Sequence, residues 1–171
     1  MTQPSLAVAF CSIWERTDTW LAIGADLERR GIRVFHIMTP VEYVRKAQAM
    51  GIPDDRILWL RKDEAEKAPI NLEDLALLRE FEKISGTPVK HLMLMDRFLR
   101  TLPNDLSLQY IVYIFRRILD FIEKNDIYIV SGEPSTIHDL ISAMICKVLG
   151  REYTAPFHLR LPVKRFVLWN S

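Results

Sequence analysis

The sequence predicts an α/β domain of three layers around a mainly parallel sheet. Three observations carry this. Apolar, β-branched runs alternate with stretches of helical period. Each run ends in a turn that opens the next helix. The first elements (strand, helix of about three turns, Gly31, strand) form a unit whose crossover favours parallel pairing. At 171 residues the chain has length for one domain with a full core, and 1–171 reads as a single unit.

The elements follow in order. Residues 5–13 are nearly all apolar, as in a strand covered on both faces. Thr17 or Asp18 can cap a helix with the stripe Trp20, Ile23, Gly24 and Leu27. Residues 32–38 form the second strand. A short helix over 41–50 is ended by Gly51-Ile52-Pro53, and 56–60 form a third strand. The charge-dense stretch 61–67 reads as a solvated loop. Asn71 caps a helix through about Ile84, with Glu73 and Asp74 in its first turn, where the helix dipole favours anions. Residues 89–101 read as one helix, on which Asp96 and Arg100 stand four apart and can pair. Pro103-Asn104-Asp105 opens the longest helix, striped by Leu108, Ile111, Val112, Phe115, Ile118, Leu119 and Ile122. Residues 127–131 are the fourth strand. The following helix carries Ile137, Leu140, Ile141, Ile145 and Val148 and stops at Gly150. Extended segments begin near Tyr153 and span 163–169. No covering helix follows the last one. This predicts a sheet edge with exposed Phe166, Leu168 and Trp169, or the N-terminal half of something larger.

Composition narrows the function. Apolar residues make up 49% and charged residues 26%, the range of a globular domain, and the net charge of +1 argues against a nucleic-acid partner. Cys11 and Cys146 are too few for a disulfide framework and read as small buried hydrophobes. No apolar run approaches the ~20 residues that span a bilayer. The start lacks the basic and apolar regions of a signal peptide. These features predict a cytoplasmic protein. His36, His91, His138 and His158 are scattered without metal-site spacing, so no metal is expected. Without a G-x-G-x-x-G or P-loop in the first turn, no bound nucleotide cofactor is expected there either.

The strongest candidate site is the turn Gly132-Glu133-Pro134-Ser135-Thr136, where a strand ends and a helix starts. Glu133 can act as a base or accept a hydrogen bond from a sugar hydroxyl, and with His138, one turn further on, it is a candidate catalytic residue. Ser135 and Thr136 can bind substrate beside the helix amides, or can merely cap the helix; Thr136 and Asp139 have capping-box spacing. In the first turn, Trp14 can stack on a sugar ring with Arg16 beside it, or pack on the sheet. His91 can point into a cleft or be structural. Arg160, with Lys164 and Arg165, can hold an anion or simply be solvated.

The segment from Leu21 through Glu28-Arg29-Arg30-Gly31-Ile32-Arg33-Val34 resembles the first βαβ unit of GT-B glycosyltransferases. Leu94-Met95-Asp96-Arg97-Phe98, the Ser131-Gly132-Glu133 turn, and Tyr153-Thr154 followed by Arg160 and Arg165-Phe166 resemble capsule and surface-polysaccharide proteins of that kind. The resemblance implies a Rossmann-like N-terminal domain that takes a sugar or glycan acceptor. The nucleotide-sugar donor would sit mostly in a C-terminal domain. It also implies a cytoplasmic place, free or peripheral to the inner membrane. The family's glycine-rich first turn is missing here. An acceptor-side half is thus the leading expectation. A related sugar-nucleotide epimerase and a non-catalytic Rossmann-like binding or interaction module are the alternatives.

Overall fold

The computed structural model describes residues 6–12, 16–159 and 165–170; for 157–159 and 165–170 the description is of the backbone. The strands are β1 (Ala7–Ser12), β2 (Arg33–Met38), β3 (Ile57–Trp59), β4 (Ile129–Ser131), β5 (Glu152–Leu159) and β6 (Arg165–Asn170). Between them lie α1 (Thr17–Arg29), α2 (Val41–Ala49), α3 (Lys62–Ala65), α4 (Leu72–Ser85), α5 (Val89–Met95), α6 (Asn104–Lys124) and α7 (Ile137–Leu149). The sheet order is β3-β2-β1-β4-β5-β6. The first five strands pair in parallel, and β6 returns antiparallel along β5. The sheet is Rossmann-like, as the alternating sequence predicts.

Alternation within the strands sorts the helices into two layers. Ala7, Ala9 and Cys11 of β1, with Phe35 and Ile37 of β2, face the large core built by α4, α5, α6 and α7. Val8, Phe10 and Val34 face α1, where Trp20 stacks on Phe10 at 4.9 Å between ring centres. Met38 packs with Leu21, Val44 and Ala47 of α1 and α2. The α6 stripe reads as predicted: Ile111, Val112, Phe115, Ile118, Leu119 and Ile122 are buried, with Leu108 partly so. Both cysteines are buried and free.

The structure corrects several local expectations. Helix α1 starts at Thr17 without a side-chain cap. Ile23 is exposed and Leu21 takes its place inside, because Gly24 brings the helix close to β2. A Cβ at Gly24 would stand 3.0 Å from Val34 Cγ1. Residues 61–67 are not a plain loop. They hold α3, whose Ala65 is buried. The Gln109 amide donates to the carbonyls of Ala65, Glu66 and Ala68, and Tyr113 Oη donates to Glu64 at 2.9 Å, so tertiary contacts fix a segment that charge density alone reads as solvated. Residues 89–101 are not one helix either. α5 ends at Met95, and a single 3-10 turn follows at Leu99–Thr101. Asp96 breaks the run. Its carboxylate accepts from the Phe98 and Leu99 N–H groups at 2.8 and 3.0 Å, and among the described residues it makes no ion pair with Arg100.

At the far edge, β5 pairs with β4 only along Glu152–Thr154, and beyond that its one described neighbour is β6. The expectation of exposed Phe166, Leu168 and Trp169 concerns side chains outside the described residues.

Candidate functional site

Strand order reverses between β1 and β4, the place where open α/β sheets form a crevice above the strands' C-terminal ends. Arg16 after β1 and Glu133 after β4 form an ion pair across it. Turns 117 residues apart in sequence therefore meet, as parallel topology requires. This is a surface pair, with the two side chains 42% and 35% exposed.

Beside the crevice, over the α4–α7 layer, lies a cavity of about 920 Å³. Thr39 and Pro40 after β2, Leu60 after β3 and Lys62 at the start of α3 form one wall. Met95, Asp96, Arg97 and Phe98 form the second. Tyr110 of α6 and residues 135–138 at the start of α7 close the third. The walls are largely apolar with a few convergent polar groups, the usual make-up of a small-molecule site.

Asp96 joins two of these walls. Its second oxygen accepts from Ile137 N–H at 2.9 Å, while the first holds the 3-10 turn. The anion at the start of α7 is thus a carboxylate of the protein itself. Thr136 does not close a capping box: its hydroxyl donates to Asp139 Oδ2 at 2.8 Å, side chain to side chain. Asp139 is buried beneath the turn, where Tyr153 Oη also donates to it at 3.1 Å. Burial pushes its carboxyl up to about 7, against the two hydroxyl donors. Gly132 touches this carboxylate so closely that a Cβ there would lie 2.0 Å from Asp139 Oδ1.

His138 is buried in the cavity wall. Its Nε2 is 3.3 Å from Tyr110 Oη, and its Nδ1 is buried with no hydrogen-bond partner. Burial lowers the imidazole to about 4, with the Asp96 charge opposing. Burial, then the Asp96 charge, raises the Tyr110 phenol to about 12. Both rings are therefore neutral at pH 7. Phe98 meets Tyr110 edge-on at 6.0 Å, and Lys62 Nζ sits 4.5 Å from the centre of the Phe98 ring.

Of the residues singled out from sequence, the structure brings Ser135, Thr136 and His138 to the cavity. Glu133 does not line it and is held by Arg16 at the neighbouring crevice. His91 is exposed on α5, outside the lining. Trp14 and Arg160 lie outside the described residues. Sequence reasoning missed Lys62, Asp96, Arg97, Phe98 and Tyr110 as site residues. The Asp96-Arg97-Phe98-Leu99 stretch held a usable signal: an Asp with free amides two and three residues on marks a helix start, not a helix interior.

No protein-family model matches the sequence, and no curated protein matches it. Solved structures do match it. The fold is shared with Acinetobacter baumannii MurG. The TM-score is 0.53 at 11% identity, and the match covers 89% of this chain and 34% of the MurG chain. At that identity the likeness is one of fold. The chain spans about one third of the length of the protein it matches. Among the described residues, no three His, Cys, Asp or Glu side chains gather to hold a metal, and no helix is long and apolar enough to cross a membrane.

Proposed function

We propose that this chain is the N-terminal, acceptor-side domain of a GT-B glycosyltransferase that works in bacterial surface-polysaccharide assembly. The observation that carries the reading is the cavity. It lies at the C-terminal edge of a Rossmann-like parallel sheet, in a domain with the fold of MurG, itself a GT-B glycosyltransferase. Active sites of open α/β sheets gather at that edge. The acceptor enters the cavity beside Ser135, Thr136 and His138. The nucleotide-sugar donor belongs to a second domain that closes over the same edge. Neutral His138 is the acceptor-side base or hydrogen-bond acceptor, and Glu133 orients the turn through Arg16. A place at the inner-membrane surface fits Leu94 and Met95, each 60% exposed beside Arg97 and Arg100.

The test is acceptor-dependent release of nucleoside diphosphate by the complete gene product from a panel of nucleotide-sugars. Activity should appear with a surface-polysaccharide oligosaccharide. It should fall at least a hundredfold in His138→Gln, with the far-UV spectrum unchanged. A folded protein that releases nucleotide with no donor and acceptor tried, or a fully active His138→Gln enzyme, sinks the proposal.

A further inference from the structure

Two cations, Lys62 and Arg97, line the cavity, and neither is held by a close ion pair among the described residues. The Arg97 guanidinium has no hydrogen-bond or ion-pair partner among the described residues. Lys62 reaches Glu66 only at 3.7 Å, on an exposed helix face where such a pair contributes little. The one carboxylate of the wall, Asp96, is buried and accepts from three backbone N–H groups. Glu133, next along the rim, is committed to Arg16. No Asn or Gln lines the cavity. The wall thus offers two cations and no free carboxylate or amide to take the hydroxyl protons of a neutral sugar. The buried, unpartnered Nδ1 of His138 in the same wall adds an unmet polar group. Phe98 and Tyr110 supply aromatic surface for a sugar ring.

From this we infer that the cavity selects an anionic carbohydrate, one bearing a carboxylate or a phosphate that Lys62 and Arg97 engage. The inference rests on the reading of the cavity as an acceptor site and adds the charge of the acceptor to it. Guanidinium matches both groups through paired N–H donors, so the shared chemistry is a compact oxyanion on a sugar. Both cations are exposed, so removing either leaves the core intact.

The experiment is an amide-resonance titration of the full chain, followed at Phe98 and His138. The probes are glucuronate, glucose 1-phosphate, methyl glucoside and inorganic phosphate. The expected result is that glucuronate or glucose 1-phosphate binds at least tenfold more tightly than methyl glucoside. That advantage should shrink below threefold in the Lys62→Gln, Arg97→Gln double variant, and should weaken with added salt. Equal binding of methyl glucoside overturns the anionic selection while leaving the acceptor reading intact. Inorganic phosphate binding as tightly as glucose 1-phosphate, with glucuronate silent, reduces the site to a bare anion site and overturns the carbohydrate. If no sugar moves the cavity resonances, the inference and the acceptor reading fail together.

Discussion

Asp96 and Ile137 are 41 residues apart in sequence, yet the Asp96 carboxylate accepts the first N–H of α7 at 2.9 Å. The same carboxylate starts the 3-10 turn at Leu99. One side chain therefore sets the spacing of two cavity walls. Asp96→Ala would leave the buried Leu99 and Ile137 amides unpaired, and the expected loss is about 3 kcal/mol. Asp96→Asn keeps an acceptor but loses the charge, so about half that loss is expected. Urea unfolding of the two variants checks the order.

Asp139 predicts a pH dependence. Its folded carboxyl titrates near 7, above the ordinary carboxylate range, first because it is buried. The folded state then holds a proton that the unfolded chain releases near pH 4. Stability from this group is complete below pH 4 and is lost as pH rises through 7, by on the order of 4 kcal/mol. Asp139→Asn should remove that decline. Urea midpoints measured from pH 4 to 8 would show it, and parallel curves for the two proteins would contradict it.

Two histidines work in the opposite direction. Burial lowers both His36 and His138 to about 4. Each resists protonation in the folded state, so its stability is complete above about pH 6.5 and is lost as pH falls towards 4. In the wild type the histidines and Asp139 oppose one another across this window. The Asp139→Asn protein should therefore lose stability on acidification more steeply than the wild type. A shallower acid limb in the same urea series would count against neutral, buried imidazoles.

Gly132→Ala should be costly despite adding one methyl. The new Cβ would overlap Asp139 Oδ1 at 2.0 Å and Cys11 Cβ at 2.8 Å. A loss of about 2–3 kcal/mol is expected from overpacking. Combining it with Asp139→Ala should recover part of that loss, because one of the two clashes disappears. A double-mutant cycle reads the coupling directly, and strict additivity would place the strain elsewhere.

Much of the fold was legible because its signals are local. The runs at 5–13, 32–38, 56–60 and 127–131 are apolar and β-branched, and each became a parallel strand. The α6 stripe was legible for the same reason. What failed was local reading of segments that tertiary partners decide. The charges of 61–67 suggested solvent, but Gln109 and Tyr113, more than forty residues away, gather that segment into α3. The apolar stretch before Asp96 suggested an unbroken helix, but the amides that its carboxylate holds lie in the next turn and in α7. The turn at Ser135 and Thr136 could be found as a strand-to-helix junction. Tyr110 and Lys62 could not, because only packing brings α6 and α3 to the same hollow.

The Arg16–Glu133 pair spans the place where the two halves of the sheet part company. Because both side chains stand partly in water, pulling them apart costs no more than about 1 kcal/mol, and salt reduces that further. The pair is thus a contact that thermal motion breaks on its own. Once broken, it leaves a guanidinium at the end of β1 and a carboxylate at the end of β4, one charge of each sign at the point where the strand order turns.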